Sequence, residues 1–487
     1  MENNWVFIKP EHGKVFANAA EMLLEAAAGL CARPPEIAPE DGATPETLTE
    51  RSFIYAGIRG DRLAGLLTGH GVEYPSDGDE SYTVFVGDSA FGGGQMIVII
   101  GGSERGVLCG CAEFCNRYCG DVLFRGCDIW REDIFDSPLS GRIPGWSVSG
   151  SPAIKTRAVW TWGHVIYDYR RFFRNMAKLR LNEIVIWNDR APVNADAVAE
   201  YAHSFGIKVI WGFAWGWTAS CRKFFDGLDA GRLKRLKDSI IGTYENEYAG
   251  IAGDGIYFQS FTEFRGSGEY GARVAETVTS LVNETAEELF KRRPDLHIQF
   301  GLHATSVRDH AEILAKVDPR IYIVWEDCGA FPFDYDPSKT DGAAETGAFV
   351  EKLLKLRGDG ERFGAVFKGM LKLDWTRFVH AEKPLVIGEA SEEYIARRRI
   401  MKDRIWKIIQ ADWMKNAEYA RKTAAMISHG GGEPIVEALI EDSMFESGIR
   451  FPAALFAELL WDPDRDVGEI VSETAKFPCV GFANKET

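Results

Sequence analysis

From Thr156 onward, eight short apolar runs recur at 157–161, 183–187, 208–213, 255–258, 297–301, 321–325, 364–368 and 434–439. Amphipathic stretches separate them, at 169–181, 195–205, 274–292 and the long 392–427. Runs with little polar alternation are how strands read when both sheet faces are covered by helices. Eight such strands alternating with helices predict a (β/α)8 barrel. The stretch 385–387 reads as a further strand and leaves the assignment of the last two open.

A chain of 487 residues exceeds the size at which one core keeps growing, so a second unit is expected. Residues 1–150 read as a small α/β domain, with helices over 19–30 and 106–119 and strands over 81–86 and 96–100. The Gly-, Ser- and Pro-rich stretch 137–152 marks the boundary, and 151–487 carries the barrel with its C-terminal helices. The turn 101–106 lies between a strand and a helix, which invites a dinucleotide reading, but it lacks the G-x-G-x-x-G spacing. No cofactor is expected.

Composition narrows the function classes. A hydrophobic content of 46% with 14 Trp excludes disorder, and the formal charge of −16 argues against nucleic acid, whose phosphates need a basic face. No apolar run approaches the ~20 residues that span a bilayer, so no membrane partner is expected. The opening residues lack a positive segment followed by an apolar one, which predicts a cytoplasmic protein, and nine Cys fit that compartment as free thiols. Cys111, Cys115 and Cys119, four apart, read as small buried hydrophobes on one helix face. With no Cys-x-x-Cys pair and no His-Glu-x-x-His, no metal site is expected.

Function follows from what ends the strands. The run Gly255–Phe258 leads through Gln259 and Ser260 to Glu263, which makes Glu263 the candidate general acid. The other strand ends bring Trp162 and His164; Asn188 and Asp189; Trp215; His303; Trp325, Glu326 and Asp327; and Asp374 and Trp375. Aromatic faces stack on the C–H side of a sugar ring, while carboxylates and amides grip its hydroxyls. Glycoside hydrolysis needs two carboxyl groups flanking the bond, and Glu326, Asp327 and Asp374 are the candidates for the second. The expected partner is a small oligosaccharide or glycoside, and a homodimer through the outer helices is compatible with this architecture.

Three segments carry a resemblance to known glycosidases. An α/β domain whose Gly-rich turn leads into 106–114, followed by a (β/α)8 barrel, is similar to the arrangement in α-glucuronidases and β-N-acetylhexosaminidases. Residues 255–263 resemble the α-glucuronidase strand ending in the catalytic acid, 368–374 the segment ending in a catalytic aspartate, and 456–464 the final helix. The resemblance implies an exo-acting glycoside hydrolase with Glu263 as acid and Asp374 as a catalytic carboxylate. A lysine that helps hold the uronate in that family is replaced by Gln259, and acidic Glu326 and Asp327 follow Trp325. A mouth with these groups and no evident cation favours a neutral or N-acetylated sugar, with an α-glucuronidase-type enzyme or a non-catalytic carbohydrate-binding protein as alternatives.

Overall fold

The computed structural model describes residues 5–31, 33–123, 141–188, 190–216, 221–261, 268–303, 308–326, 343–358, 362–370, 384–440 and 445–483. The N-terminal unit is a six-stranded sheet of β1 (Trp5–Lys9), β2 (Glu36–Pro39), β3 (Ser52–Ile58), β4 (Tyr82–Asp88), β5 (Gln95–Gly101) and β6 (Trp146–Gly150), in the order β2-β1-β3-β5-β4-β6. Strands β1, β2, β3 and β5 run parallel, and β4 pairs antiparallel with both β5 and β6. Alternate residues feed opposite faces. Trp5, Phe7, Ile54 and Ala56 join the core shared with the barrel, whereas Val6, Ile8, Phe53 and Tyr55 pack on Leu63, Ala64 and Leu67.

The barrel is closed by β7 (Thr156–Trp162), β8 (Glu183–Trp187), β9 (Lys208–Ala214), β10 (Gly255–Gln259), β11 (His297–His303), β12 (Tyr322–Glu326), β13 (Phe363–Met370) and β14 (Ile435–Ile440), all parallel. The eight strands coincide with the eight runs read from the sequence. Leu385 is not in a strand; its carbonyl accepts from the Val193 amide, and Asn194 brackets Ile387 through both backbone groups. That extended segment lies against the β7–β8 side of the barrel instead of entering it.

Two layers of side chains separate inside from outside. Ala158, Trp160, Trp162, Val185, Trp187, Ile210, Tyr257, Val324, Val366 and Leu439 form the lumen cluster. Their sequence neighbours Val159, Ile184, Ile186, Trp211, Ile256, Phe258, Ile323 and Trp325 join the shell under the helices.

The sheet is fastened near the N-terminal ends of β7, β8 and β9. Arg105 donates to Glu80 (2.8 Å) and to the carbonyls of Leu181 (2.8 Å) and Phe205 (2.7 Å). Fully buried Arg157 donates to Glu80 at 2.6 Å and to the Arg180 carbonyl. Arg180 bridges Glu113 (2.7 Å) and Glu458, and both guanidiniums lie over the Trp461 ring, which also stacks on Tyr82. Burial raises the Glu80 carboxyl, but Arg157 and Arg105 more than offset this and hold it at about 2.

The turn considered for a dinucleotide belongs to this joint. Ser103 caps the helix Glu104–Glu113 by accepting from Arg105 and Gly106, and a Cβ at Gly101, Gly102 or Gly106 would strike neighbouring backbone. Its glycines serve close packing. Cys109, Cys111 and Cys119 are buried free thiols and Cys115 is half-buried; burial pushes Cys109 up to about 11. Among the described residues no helix is long and apolar enough to cross a membrane.

Candidate active site at the barrel mouth

The C-terminal ends of β10, β12 and β13 meet around one carboxylate. Glu326, the last residue of β12, is 2% exposed. Its Oε1 accepts from the Tyr257 hydroxyl and from Gln259 Nε2 (2.6 Å), and its Oε2 from Lys368 Nζ at 2.8 Å. Both oxygens act as acceptors, as in an ionised carboxylate. Tyr257 and Gln259 share a face because they are two residues apart on β10. The register Leu302↔Trp325 and His303↔Glu326 sets Gly301 just below, where any Cβ would collide with Glu326 Oε1 and the Tyr257 hydroxyl. Glycine at 301 makes room for that hydrogen bond.

Trp162 closes β7 inside the lumen, edge-on to Trp160 (centroids 5.0 Å) and tilted against His164 at 6.3 Å. Asn188 is 8% exposed beyond the end of β8, its backbone tied to Gly212 and Tyr248. A Cβ at Gly163 would meet its amide at 2.7 Å, so glycine there admits the Asn188 side chain. The Asn188 Nδ2 has no hydrogen-bond partner among the described residues.

Beneath this layer lie two further buried carboxyls. Glu437 on β14 is fully buried, and neither of its oxygens has a hydrogen-bond partner among the described residues. Burial, then Glu183 and Glu326, push its carboxyl well above the ordinary range. Glu183, nearer the N-terminal end, accepts from Gln299 Nε2 at 2.8 Å, and burial raises it to about 7. Gln299 Nε2 also lies 2.9 Å from His297 Nε2.

Of the residues singled out from sequence, Glu326, Gln259, Trp162 and Asn188 stand at the C-terminal ends of the barrel strands, and His164 just past β7. Trp215 and Trp325 belong to the outer shell: Trp215 stacks on Phe258 at 3.7 Å, and Trp325 alternates outward between Val324 and Glu326. These two tryptophans support the barrel wall. Glu263, Asp327, Asp374, Trp375 and Asp189 lie outside the described residues, as does the His303 side chain. Lys368, Tyr257 and Glu437 were not singled out. Each is a polar group within an otherwise apolar strand, and that interruption is the signal that marks them.

The mouth also corrects the reading of its charge. Lys368 supplies a buried cation, 5% exposed, where none was evident from the sequence. Among the described residues no group of His, Cys, Asp and Glu is arranged to hold a metal ion.

Solved structures similar to this chain include glycoside hydrolases. One is a family GH115 4-O-methyl-α-glucuronidase with specificity for decorated arabinogalactans, similar over 97% of this chain at 13% identity and a TM-score of 0.52. The chain spans 58% of that protein's length. Another is a GH20 exo-β-N-acetylglucosaminidase from Vibrio harveyi, at 11% identity and a TM-score of 0.48, over 97% of this chain and 73% of the other. No protein-family model matches the chain, and no curated protein matches it in sequence.

Proposed function

We propose that this chain is an exo-acting glycoside hydrolase that takes a short oligosaccharide at the C-terminal mouth of the barrel. The observation that carries the reading is Glu326, a buried carboxylate held by Tyr257, Gln259 and Lys368 on rigid strand ends. A fixed anion at this position suits the charge that develops on the sugar ring as the glycosidic bond breaks. In this reading Glu263 is the general acid that protonates the leaving oxygen. Glu326 lies on the opposite role: with an N-acetylated sugar it orients the acetamido oxygen, which attacks the anomeric carbon. Asp374 and Asp327 are the further candidate carboxylates, and Trp162 offers a ring to the sugar face.

The neutral or N-acetylated sugar remains the preferred substrate because Lys368 faces Glu326 and its charge is balanced there. Lys368 favours a uronate-cleaving enzyme as second reading only where a substrate carboxylate shares the ammonium with Glu326, to which it is already paired at 2.8 Å. A panel of nitrophenyl glycosides covering α and β hexosides, N-acetylhexosaminides, uronides and pentosides separates the two, with Glu263→Gln and Glu326→Gln alongside. Turnover of one sugar class that disappears in both variants supports the proposal. Sugar-induced thermal shifts without turnover of any glycoside point to carbohydrate binding alone.

A further inference from the structure

A second polar cavity lies outside the barrel, between the start of the long helix Glu392–His429 and the segment that follows β14. Its volume is about 330 Å³, and Arg399, Asp403, Ser447, Gly448 and Arg450 line it. Arg450 is only 5% exposed, yet its Nε and Nη2 are buried with no hydrogen-bond partner among the described residues. The Ser447 Oγ is buried and unpartnered in the same way. Nε and Nη2 form one edge of the guanidinium, the edge that receives two oxygens of a carboxylate or phosphate side by side.

The backbone holds that edge in place. Ile449 and Arg450 pair with Val480 and Gly481, and Gly448 takes a φ of 104° that favours glycine in the turn before them. Arg450 is also the N-cap of the helix Phe451–Trp461 and makes no side-chain cap bond, so the positive end of that helix adds to the field. Asp403, the acidic group among the described lining residues, lies 3.7 Å from Lys407. The guanidinium lies over the Trp406 ring at 5.6 Å, a contact that leaves the Nε and Nη2 donors without an acceptor among the described residues, which is unfavourable for buried donors. Burial and the nearby Arg399 depress the Arg450 pKa, with Asp403 opposing them.

We infer that this cavity is a binding site for a small oxyanion, a carboxylate or a phosphate, gripped side-on by Arg450 with Ser447 and Arg399 completing the shell. The inference does not rest on the glycosidase reading, because its lining residues are not those of the mouth.

Titration calorimetry of the full chain with inorganic phosphate, and separately with acetate, at ionic strength matched with chloride, tests it. The expected result is saturable one-to-one binding, lost in Arg450→Gln, weakened at least tenfold in Arg399→Gln, and unchanged in Glu263→Gln. Tighter phosphate binding assigns a phosphate site, and tighter acetate binding assigns a carboxylate site. Arg399 is exposed, so its variant keeps the test decisive even if Arg450→Gln fails to fold. Absence of saturable binding of either anion to the wild type, or isotherms unchanged in Arg399→Gln, would overturn the inference.

Discussion

The Lys368 ammonium lies 2.8 Å from the Glu326 carboxylate, with both side chains buried at the C-terminal ends of adjacent barrel strands. Removing one partner of such a pair leaves the other in a dry site, which costs roughly 3–5 kcal/mol. Lys368→Met is therefore expected to destabilise the fold by this order. The double variant with Glu326→Gln should lose less than the two singles together, with coupling of about 1–3 kcal/mol. Urea unfolding of the four proteins measures this, and additive losses would count against a direct pair.

The tryptophans of the barrel should separate by face. Trp162 closes the lumen at the mouth, so Trp162→Ala is expected to raise KM for the cleaved glycoside several-fold. Trp325 lies in the outer shell, so Trp325→Ala should lower stability by roughly 3–5 kcal/mol while KM stays near the wild-type value. Unfolding curves and steady-state kinetics on both variants check the split, and a KM change confined to Trp325→Ala contradicts it.

This contrast shows why the fold was easier to read than the site. Strands of a parallel barrel are apolar on both faces, so 322–326 announces a strand without telling whether Trp325 or Glu326 faces inward. Only the closed register settles it. Lys368 was hidden for a related reason: a lysine near a strand end reads as an exit to solvent, and its carboxylate partner lies 42 residues away. The acid proposed from sequence, Glu263, rests on the motif alone, whereas Glu326 gains the donors Tyr257 and Gln259 from β10 and Lys368 from β13, which only the closed barrel brings to it.

Glu183 gives a pH signature. Burial raises its folded pKa from the ordinary carboxyl value near 4.5 to about 7, so the native state holds a proton that the unfolded chain releases. Its contribution is thus fully present below pH ~4.5 and fades as pH rises to about 7, by on the order of 3 kcal/mol. Glu183→Gln should stabilise the protein at pH 8 and have little effect at pH 4.5. Thermal unfolding at the two pH values tests this, and an equal effect at both would remove the assignment.

Glu80 behaves in the opposite sense. Its folded carboxyl is held at about 2 by Arg157 and Arg105 against the opposing effect of burial, so its stabilisation is present above the unfolded value near 4.5 and is lost as pH falls toward 2. Glu80→Gln is expected to cost on the order of 3 kcal/mol at pH 7, with the difference from wild type shrinking between pH 4.5 and 2. Denaturant midpoints across that window provide the measurement, and a pH-independent difference would exclude the ionic contribution.

The joint around Arg157, Arg180 and Trp461 lies toward the barrel's N-terminal end, whereas Glu326, Lys368 and Gln259 stand at the C-terminal ends of their strands. Cohesion and the proposed chemistry thereby fall at opposite poles of one cylinder. A lineage built on this chain can exchange the residues at the mouth without loosening the clasp below, and so can change what the mouth admits while the scaffold is inherited intact.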